Sequence, residues 1–398
     1  MSLKDVVIVG CKRTSIGIFM GSLAPFSATN LGSIAIEGAL ANTKLEKSQV
    51  EEVYMGNVLS ASLGQAPTTQ AALGAGLSKD TICTTVNKGC ASGMKATILA
   101  TQAIRSGQRK IVVAGGMESM TGAPHYINIR EPVNINNPNM KYLDSILLDG
   151  YTEMTENARN IHLGKLAEKT IAELEIKREV LDSWTKISYQ RARAAQANKF
   201  FDWEIVDIMQ ATPRGRIRIN QDEECKRYLP QSLPVLLPIY SKNGCLTAAS
   251  SGKLNDGASA MILMEEESAR EIGMKPLARI KAYEDSALDP TEFTIANSKV
   301  TSQILRKAGM NSNDIDFYEI HENFASVPMV NMEVLGLDPD IVNVNGGALA
   351  LGHPLGASGN RIIISLLNIL RQKGGTIGLA SVSHGGGGAS AVMIERLN

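Results

Sequence analysis

The sequence predicts an α/β protein made of two related halves, with a mostly helical insertion in the first. Three observations carry this. Strand-like and helix-like segments alternate through the first third of the 398 residues, and again through the last third. The strand segments are continuous apolar runs such as Val6-Val7-Ile8-Val9, the pattern of a mainly parallel, buried sheet. A shift of 266 residues lays Ala91-Ser92-Gly93 on Ala357-Ser358-Gly359, Arg105 on Arg371, Ile111 on Ile377 and Ala114 on Ala380. A loop, a helix and a strand match in order at one offset. This reads as a duplication, packed about a pseudo-twofold axis that brings two helix N-termini together.

In chain order, strands are expected at Val6–Val9, Val50–Val58, Thr81–Val86 and Lys110–Ala114, with helices at Leu31–Leu40 and Cys90–Arg105. The Cys90–Arg105 helix takes its apolar positions from Ala91, Met94, Ile98, Ala103 and Ile104. Residues 122–248 break the rhythm. They hold an Asn-rich loop (Asn134–Asn139), amphipathic helices (Asn157–Glu173, Arg178–Asn198) and a Pro-bearing stretch (Pro230–Pro238), and read as a helical insertion able to cover a site. The last third offers strands at Leu277–Ala282, Ile315–Ile320, Ile341–Val344, Thr376–Ser383 and Ala389–Ile394, and helices at Ser298–Ala308 and Ser358–Arg371. The expected halves are residues 1–270, carrying the insertion at 122–248, and residues 271–398.

Composition narrows the function. Lys+Arg and Asp+Glu number 40 each, so no charge excess argues for nucleic acid or an anionic membrane. No apolar run is long enough to span a bilayer. Five cysteines without ladder spacing fit reduced thiols in a cytoplasmic compartment, or a mitochondrial one if a targeting segment is missing.

Candidate chemistry gathers at few points. Cys90 stands at a strand-to-helix junction in Val86-Asn87-Lys88-Gly89-Cys90-Ala91-Ser92-Gly93-Met94. A helix N-terminus carries roughly +0.5 charge, lowers a thiol pKa and offers free N–H groups to an oxyanion. The plain alternative is a buried, inert cysteine. His353 sits in Gly352-His353-Pro354 among glycines, and His321 begins His321-Glu322-Asn323-Phe324 after a strand. A thiol with convergent histidines is the ordinary recipe for an acyl-accepting thiolate. No HExxH or CxxC pair is present, so no metal is expected. Ser383-His384 precedes four consecutive glycines, Gly385 to Gly388. Such a run costs conformational entropy and marks backbone that something approaches closely.

Taken together, several motifs resemble the thiolase family, and within it the acetoacetyl-CoA type. They are Arg13-Thr14 with Ile16-Gly17, Gly64-Gln65-Ala66-Pro67, Asn87 to Lys95, Ala114 to Met120, Leu254-Asn255-Asp256-Gly257-Ala258, Gly346 to Pro354, and the glycine run. The resemblance runs end to end. It implies two halves stacked into five layers, α-β-α-β-α, with a loop domain inserted in the first. It implies that Cys90 takes the acyl group as a thioester and that His353 activates it and helps form one oxyanion hole. The backbone N–H groups of Cys90 and Gly385 would form the other. It implies that His162, in His162-Leu163-Gly164, touches the pantetheine arm of coenzyme A, and that Lys226 lies near its nucleotide. The expected substrates are acetyl-CoA and acetoacetyl-CoA, with no permanently bound cofactor, in a homodimer or homotetramer.

Three positions depart from the family pattern. Ser383 stands where a second cysteine removes the α-proton of the second acetyl-CoA. A thiol with pKa ~8.5 suits that task, whereas a hydroxyl needs a neighbour to take its proton. His384 points to the opposite strand face, so His321 or His353 is the expected helper. His321 replaces an asparagine that holds a water in an oxyanion hole. Gly252 replaces a serine that bonds the coenzyme A arm, with Ser251 or Ser250 placed to compensate. The reading is an acyltransferase condensing two acetyl-CoA, or running the reverse thiolysis. The alternatives are an acyltransferase with another acceptor or a required partner chain, and an acyl-CoA-binding protein with little turnover.

Overall fold

The computed structural model describes residues 3–41, 43–127, 141–153, 161–213, 215–227 and 230–397. The first half runs β1 (Val6–Arg13), α1 (Ala28–Ala41), β2 (Glu52–Gly56), α2 (Pro67–Gly74), β3 (Ile82–Val86), α3 (Ser92–Arg105) and β4 (Ile111–Ser119). After α4 (Leu163–Glu173) and α5 (Arg178–Ala197) of the insertion comes β5 (Asn255–Glu265). The second half runs β6 (Ala278–Ala287), α6 (Ala296–Ala308), β7 (Phe317–Ile320), α7 (Ser326–Leu335), α8 (Leu355–Lys373), β8 (Ile377–His384) and β9 (Gly388–Arg396).

The strands order as β7-β8-β9-β6-β1-β5-β4-β2-β3, with the short strand Gly17–Ile18 added beside β5. Apart from the extra edge strand β3, this order is a palindrome. β6 answers β1, β9 answers β5, β8 answers β4 and β7 answers β2. Directions repeat too: β2 is parallel to β4 as β7 is to β8, while β4–β5 and β8–β9 are antiparallel. The halves meet where Val7 pairs with Arg279 and Ile8 with Ala278. The 266-residue offset therefore maps β4 on β8 and α3 on α8.

Alternating residues of β1 enter different cores. Val6 and Ile8 pack in the core that holds Met94 and Ile98 of α3, while Val7 and Val9 pack in the core that holds Leu31 and Ile36 of α1. Burial on both faces is why the strand reads as an unbroken apolar run. The sheet is not mainly parallel as that run suggests: β1 pairs antiparallel with both β5 and β6, and β6 with β9, while parallel pairing between these strands is confined to β2–β3, β2–β4 and β7–β8 among the described residues. Helix α8 is buried from Leu355 through Leu370 and lies between the halves, touching α3, β4 and β5 on one side and β7 and β8 on the other. α1 and α2 cover the outside of the first half, and α6 and α7 that of the second. The result is the expected five layers.

Helices α3 and α8 cross through small residues. A Cβ on Gly93 would lie 2.7 Å from the Gly356 carbonyl oxygen, and one on Gly359 would lie 2.7 Å from the Met94 nitrogen. Both obstacles are backbone and cannot swing aside. In the insertion, Arg13 of β1 donates to Glu204 at 2.7 Å and to Asp222 at 2.8 Å, all three side chains being fully buried. This ties the insertion to the central strand.

Most expected elements are present within a few residues. The Cys90 helix begins at Ser92, leaving Cys90 in the preceding turn. The Asn157–Glu173 helix is seen from Leu163, and the Asn134–Asn139 loop lies outside the described residues. The insertion also contains an unexpected hairpin, Ile208–Thr212 with Gly215–Ile219. Ile341–Val344 is not a strand. It follows a short 3₁₀ turn, and Asn343 takes φ of +49°. There the Asn343 side chain accepts from Ile320 N at 2.9 Å and donates to Ile320 O at 2.8 Å, giving β7 the edge bonds a strand would supply. α2, β5 and α7 were not expected. Among the described residues no helix is long and apolar enough to cross a membrane.

The α3–α8 crossing yields a stability test. Gly359→Ala should destabilise the protein by about 1–3 kcal/mol through overpacking against backbone. The midpoint of urea unfolding should fall, and an unchanged midpoint would mean that the helices separate freely.

Candidate active site

Cys90 lies in the turn between β3 and α3 and is 2% exposed. Ser92 builds that turn, its Oγ donating to Gly89 O at 2.6 Å and accepting from Lys88 N at 2.8 Å. The backbone N–H groups of Cys90 and Gly385 lie near enough to the Cys90 thiol to pull its pKa down against burial. Gly385 opens the turn between β8 and β9, where Gly386 and Gly387 take φ of +85° and +73°. A Cβ is disfavoured in that region, so the glycine run is what lets the turn close beside Cys90.

His353 comes from the turn leading into α8. Its backbone N–H donates to Asn255 Oδ1 at 2.8 Å, and its Nδ1 lies 2.7 Å from Ser358 Oγ. Ser358 Oγ donates to Pro354 O at 3.0 Å. A carbonyl only accepts, so the single Ser358 proton goes there and His353 Nδ1 carries its own hydrogen, leaving the lone pair on Nε2. His321 follows β7 and packs its ring against His353 with centroids 4.3 Å apart. Its Nε2 is 3.1 Å from His353 Nδ1 and 3.4 Å from His353 Nε2, while its Nδ1 is buried without a partner.

Ser383 is fully buried near the end of β8. Its Oγ accepts from Asn297 Nδ2 at 3.2 Å, and its carbonyl accepts from Asn323 Nδ2 at 3.1 Å. Among the described residues no hydrogen bond joins Ser383 Oγ to an imidazole, so the expected helper is not in contact with it. None joins Cys90 Sγ to an imidazole either. His384 turns away from this group. Its Nδ1 donates to Gly385 O, its ring packs against Gly388, and burial pushes its pKa down to about 4.

Gly252 N donates to Asn323 O at 2.8 Å, and a Cβ there would stand 3.7 Å from His353 Cδ2. Ser251 Oγ donates to Thr247 O at 2.8 Å and Ser250 Oγ accepts from Thr247 N at 2.8 Å, so both hydroxyls are spent on their own loop. His162 caps α4, its Nδ1 accepting from Gly164 N at 2.9 Å. It stacks on Tyr240 at 4.8 Å, and Tyr240 meets Phe324 edge-on at 5.8 Å, which makes an aromatic path back toward Asn323. Lys226 is exposed on a surface turn beside Arg193 and Gln196, away from the buried cluster. Cys90 with Gly385, His321 with His353, and Ser383 with Asn323 are thus brought together, and Gly252 adjoins His353.

Sequence reasoning missed the roles of Asn297, Ser358 and Glu118. Glu118 accepts from Val58 N at 3.0 Å, Leu59 N at 3.1 Å, Asn57 Nδ2 at 2.7 Å and Gly356 N at 2.8 Å, fixing the start of α8. Glu118 and Ser358 stood inside quoted motifs, but Asn297 lay in no pattern.

Burial keeps the reacting groups neutral. It pushes the Cys90 thiol up to about 12, with the two backbone N–H groups opposing it and Glu118 adding to it. It pushes His353 down to about 3, helped by the Arg361 charge, and holds His321 well below its ordinary value, helped by His353 and Arg361. A neutral thiol facing neutral imidazoles can lose its proton as it attacks, without a standing ion pair.

The family-level comparisons agree with this arrangement. A pattern described as the N-terminal domain of thiolase matches residues 6–267, and one described as the C-terminal domain matches residues 274–396. The chain belongs to the thiolase family. It is 46% identical over 395 residues to an acetyl-CoA acetyltransferase of Schizosaccharomyces pombe, covering 99% of both chains. It is 44% identical over 400 residues to the mitochondrial acetyl-CoA acetyltransferase of Homo sapiens, covering 100% of this chain and 91% of that one. Among solved structures, a thiolase from Ascaris suum in complex with coenzyme A superposes with a TM-score of 0.93 at 37% identity, covering 99% of this chain and 100% of that chain. The human mitochondrial 3-ketoacyl-CoA thiolase gives 0.94 at 33% identity, covering 100% of both.

A raised thiol pKa sets a pH signature. Because the thiolate form grows as pH approaches the raised value, alkylation of free Cys90 by iodoacetamide should climb by about tenfold per pH unit from roughly pH 7 to 10. Peptide mapping of the alkylated residue checks it, and a plateau near neutrality would mean a preformed thiolate.

Proposed function

We propose that this chain condenses two molecules of acetyl-CoA to acetoacetyl-CoA and coenzyme A, and runs the reverse thiolysis, through an acetyl-Cys90 intermediate. The observation that carries it is the packing of the buried Cys90 turn against the glycine turn between β8 and β9, where a Cβ on Gly89 would stand 3.4 Å from His384 Cβ, in a chain of this family. Cys90 Sγ attacks the thioester carbon of acetyl-CoA, and the His353 Nε2 lone pair takes the thiol proton. The two N–H groups receive the negative charge that develops on the carbonyl oxygen. The carbon–sulfur bond to coenzyme A breaks, and its thiolate leaves with that proton. Acetyl transfer to Cys90 is then complete, and the second acetyl-CoA enters for carbon–carbon bond formation.

His162, Ser251 and Gly252 are assigned to the coenzyme A arm and Lys226 to its nucleotide end. The aromatic stack around His162 and the closeness of Gly252 to His353 support the first assignment. No cofactor besides the thioester substrates enters these steps. The halves at residues 1–270 and 271–398 supply Cys90 and the histidines respectively, and the 122–248 insertion carries His162. A homodimer or homotetramer is the proposed assembly; edge strand β3, with Ile82 48% exposed, offers a surface for a second copy to cover. The cytoplasm is the proposed compartment, on five unpaired thiols that a mitochondrial matrix would suit equally.

Incubation with acetyl-CoA should release coenzyme A and generate the absorbance of acetoacetyl-CoA. Intact-protein mass spectrometry should find one acetyl adduct, mapped to Cys90 and lost in Cys90→Ala. An adduct that survives Cys90→Ala, or coenzyme A release with no acetoacetyl-CoA, would overturn this reading.

A further inference from the structure

Carbon–carbon bond formation requires a group that takes an α-proton from the second acetyl-CoA, and Ser383 is badly placed to be that group. Its Oγ is buried, and its hydrogen-bond partner is the Asn297 carboxamide at 3.2 Å. Asn297 Oδ1 is itself buried without a partner, so the group bonded to Ser383 Oγ among the described residues is a neutral amide and not a base. An amide takes up no proton near neutral pH, and a hydroxyl whose lone pair already accepts from an N–H is a weaker base still.

The cluster holds one other candidate. His321 Nε2 lies 3.1 Å from His353 Nδ1 and 3.4 Å from His353 Nε2, both rings being buried. With the Ser358 proton on Pro354 O, His353 keeps a lone pair on Nε2, and His321 Nε2 reaches both nitrogens of that ring. Asn323 ties the His321 loop to the Ser383 carbonyl, so the ring pair is held beside the place Ser383 occupies. Gly252 adjoins His353, a Cβ there standing 3.7 Å from His353 Cδ2 and 3.0 Å from Asn323 O.

We propose that the His321–His353 pair, and not Ser383, takes the α-proton of the second acetyl group. The proposal rests on the condensation reading above. The α-carbon–hydrogen bond breaks and its proton goes to His353 Nε2. The electron pair forms the new bond to the carbonyl carbon of acetyl-Cys90. The carbon–sulfur bond to Cys90 breaks, and the Cys90 thiolate recovers its proton from the imidazolium. A lone buried imidazole would hold that proton poorly, burial having pushed His353 down to about 3. Its neighbour changes this, because a protonated ring beside a neutral one makes a charge-assisted N–H···N bond. His321 thus acts through His353 as a positioning residue that shares the charge.

The test reads washout of deuterium from trideuterated acetyl-CoA into water, together with acetoacetyl-CoA formation and Cys90 acetylation. His321→Asn should lower washout and condensation by about 10²-fold or more. Because acetylation of Cys90 also passes its proton through His353 Nε2, condensation and washout are read on enzyme already acetylated at Cys90, and acetylation is read separately in every variant. In His321→Asn/Ser383→Cys, a thiol becomes available as the proton carrier, and condensation should return to within about tenfold of wild type. Recovery in the double variant separates a lost proton carrier from a damaged fold. His321→Asn that condenses within about threefold of wild type, or a double variant no better than His321→Asn, would overturn the proposal. A wild-type protein that forms no acetoacetyl-CoA would instead overturn the reading on which it rests.

Discussion

The site depends on one buried carboxylate. Glu118 stands at the end of β4 with no exposure, and its two oxygens collect four donors from both halves of the molecule. Three come from the loop after β2 and one from Gly356, at the start of α8. His353 lies three residues before Gly356, so the carboxylate sets where the imidazole stands relative to the Cys90 turn. Burial raises the Glu118 pKa to about 7 while the backbone N–H groups hold it down. A carboxylate at that depth is tolerable only because each oxygen is bonded twice.

The same burial governs the chemistry. Water is excluded from Cys90, His321 and His353 alike, and each is held in its neutral form. Charge exists only during the reaction, where backbone N–H groups and a second imidazole are already oriented to receive it. Nothing needs to reorganise at that moment, which is the advantage of fixed dipoles over solvent. The arrangement also explains why polar neighbours are so closely paired. Ser358, Asn255, Asn323 and Asn297 each engage one atom of the cluster, and each leaves a reacting atom unobstructed.

Much of this was legible from residues alone. Continuous apolar runs marked β1 and β4 because both faces of those strands are covered. The repeat at one offset marked the related halves because α3 and α8 meet through the same small residues. β5 was missed because Asn255-Asp256-Gly257-Ala258-Ser259-Ala260 has short side chains that look neither apolar nor alternating, although every residue of the strand is buried. The strand expected at Ile341–Val344 failed because one carboxamide, Asn343, does a strand's hydrogen bonding from a side chain. In the site, Cys90 and His353 stood in motifs, whereas Asn297 is 86 positions from the serine it bonds and carries no local mark. Pairings of that kind are set by folding and have no counterpart in spacing.

The placement of β1 has a consequence for how the chain is made. The first strand to leave the ribosome ends in the middle of the sheet, flanked by β5 and β6, whose residues begin at 255 and 278. At roughly 5–20 residues per second, its apolar edges wait on the order of 10–50 s for partners. The insertion is synthesised during that interval, so Glu204 and Asp222, the partners of Arg13 at the end of β1 in the folded protein, are made before either neighbouring strand. The tie between β1 and the insertion therefore joins parts of the chain that are both complete well before the strands that flank β1 in the sheet.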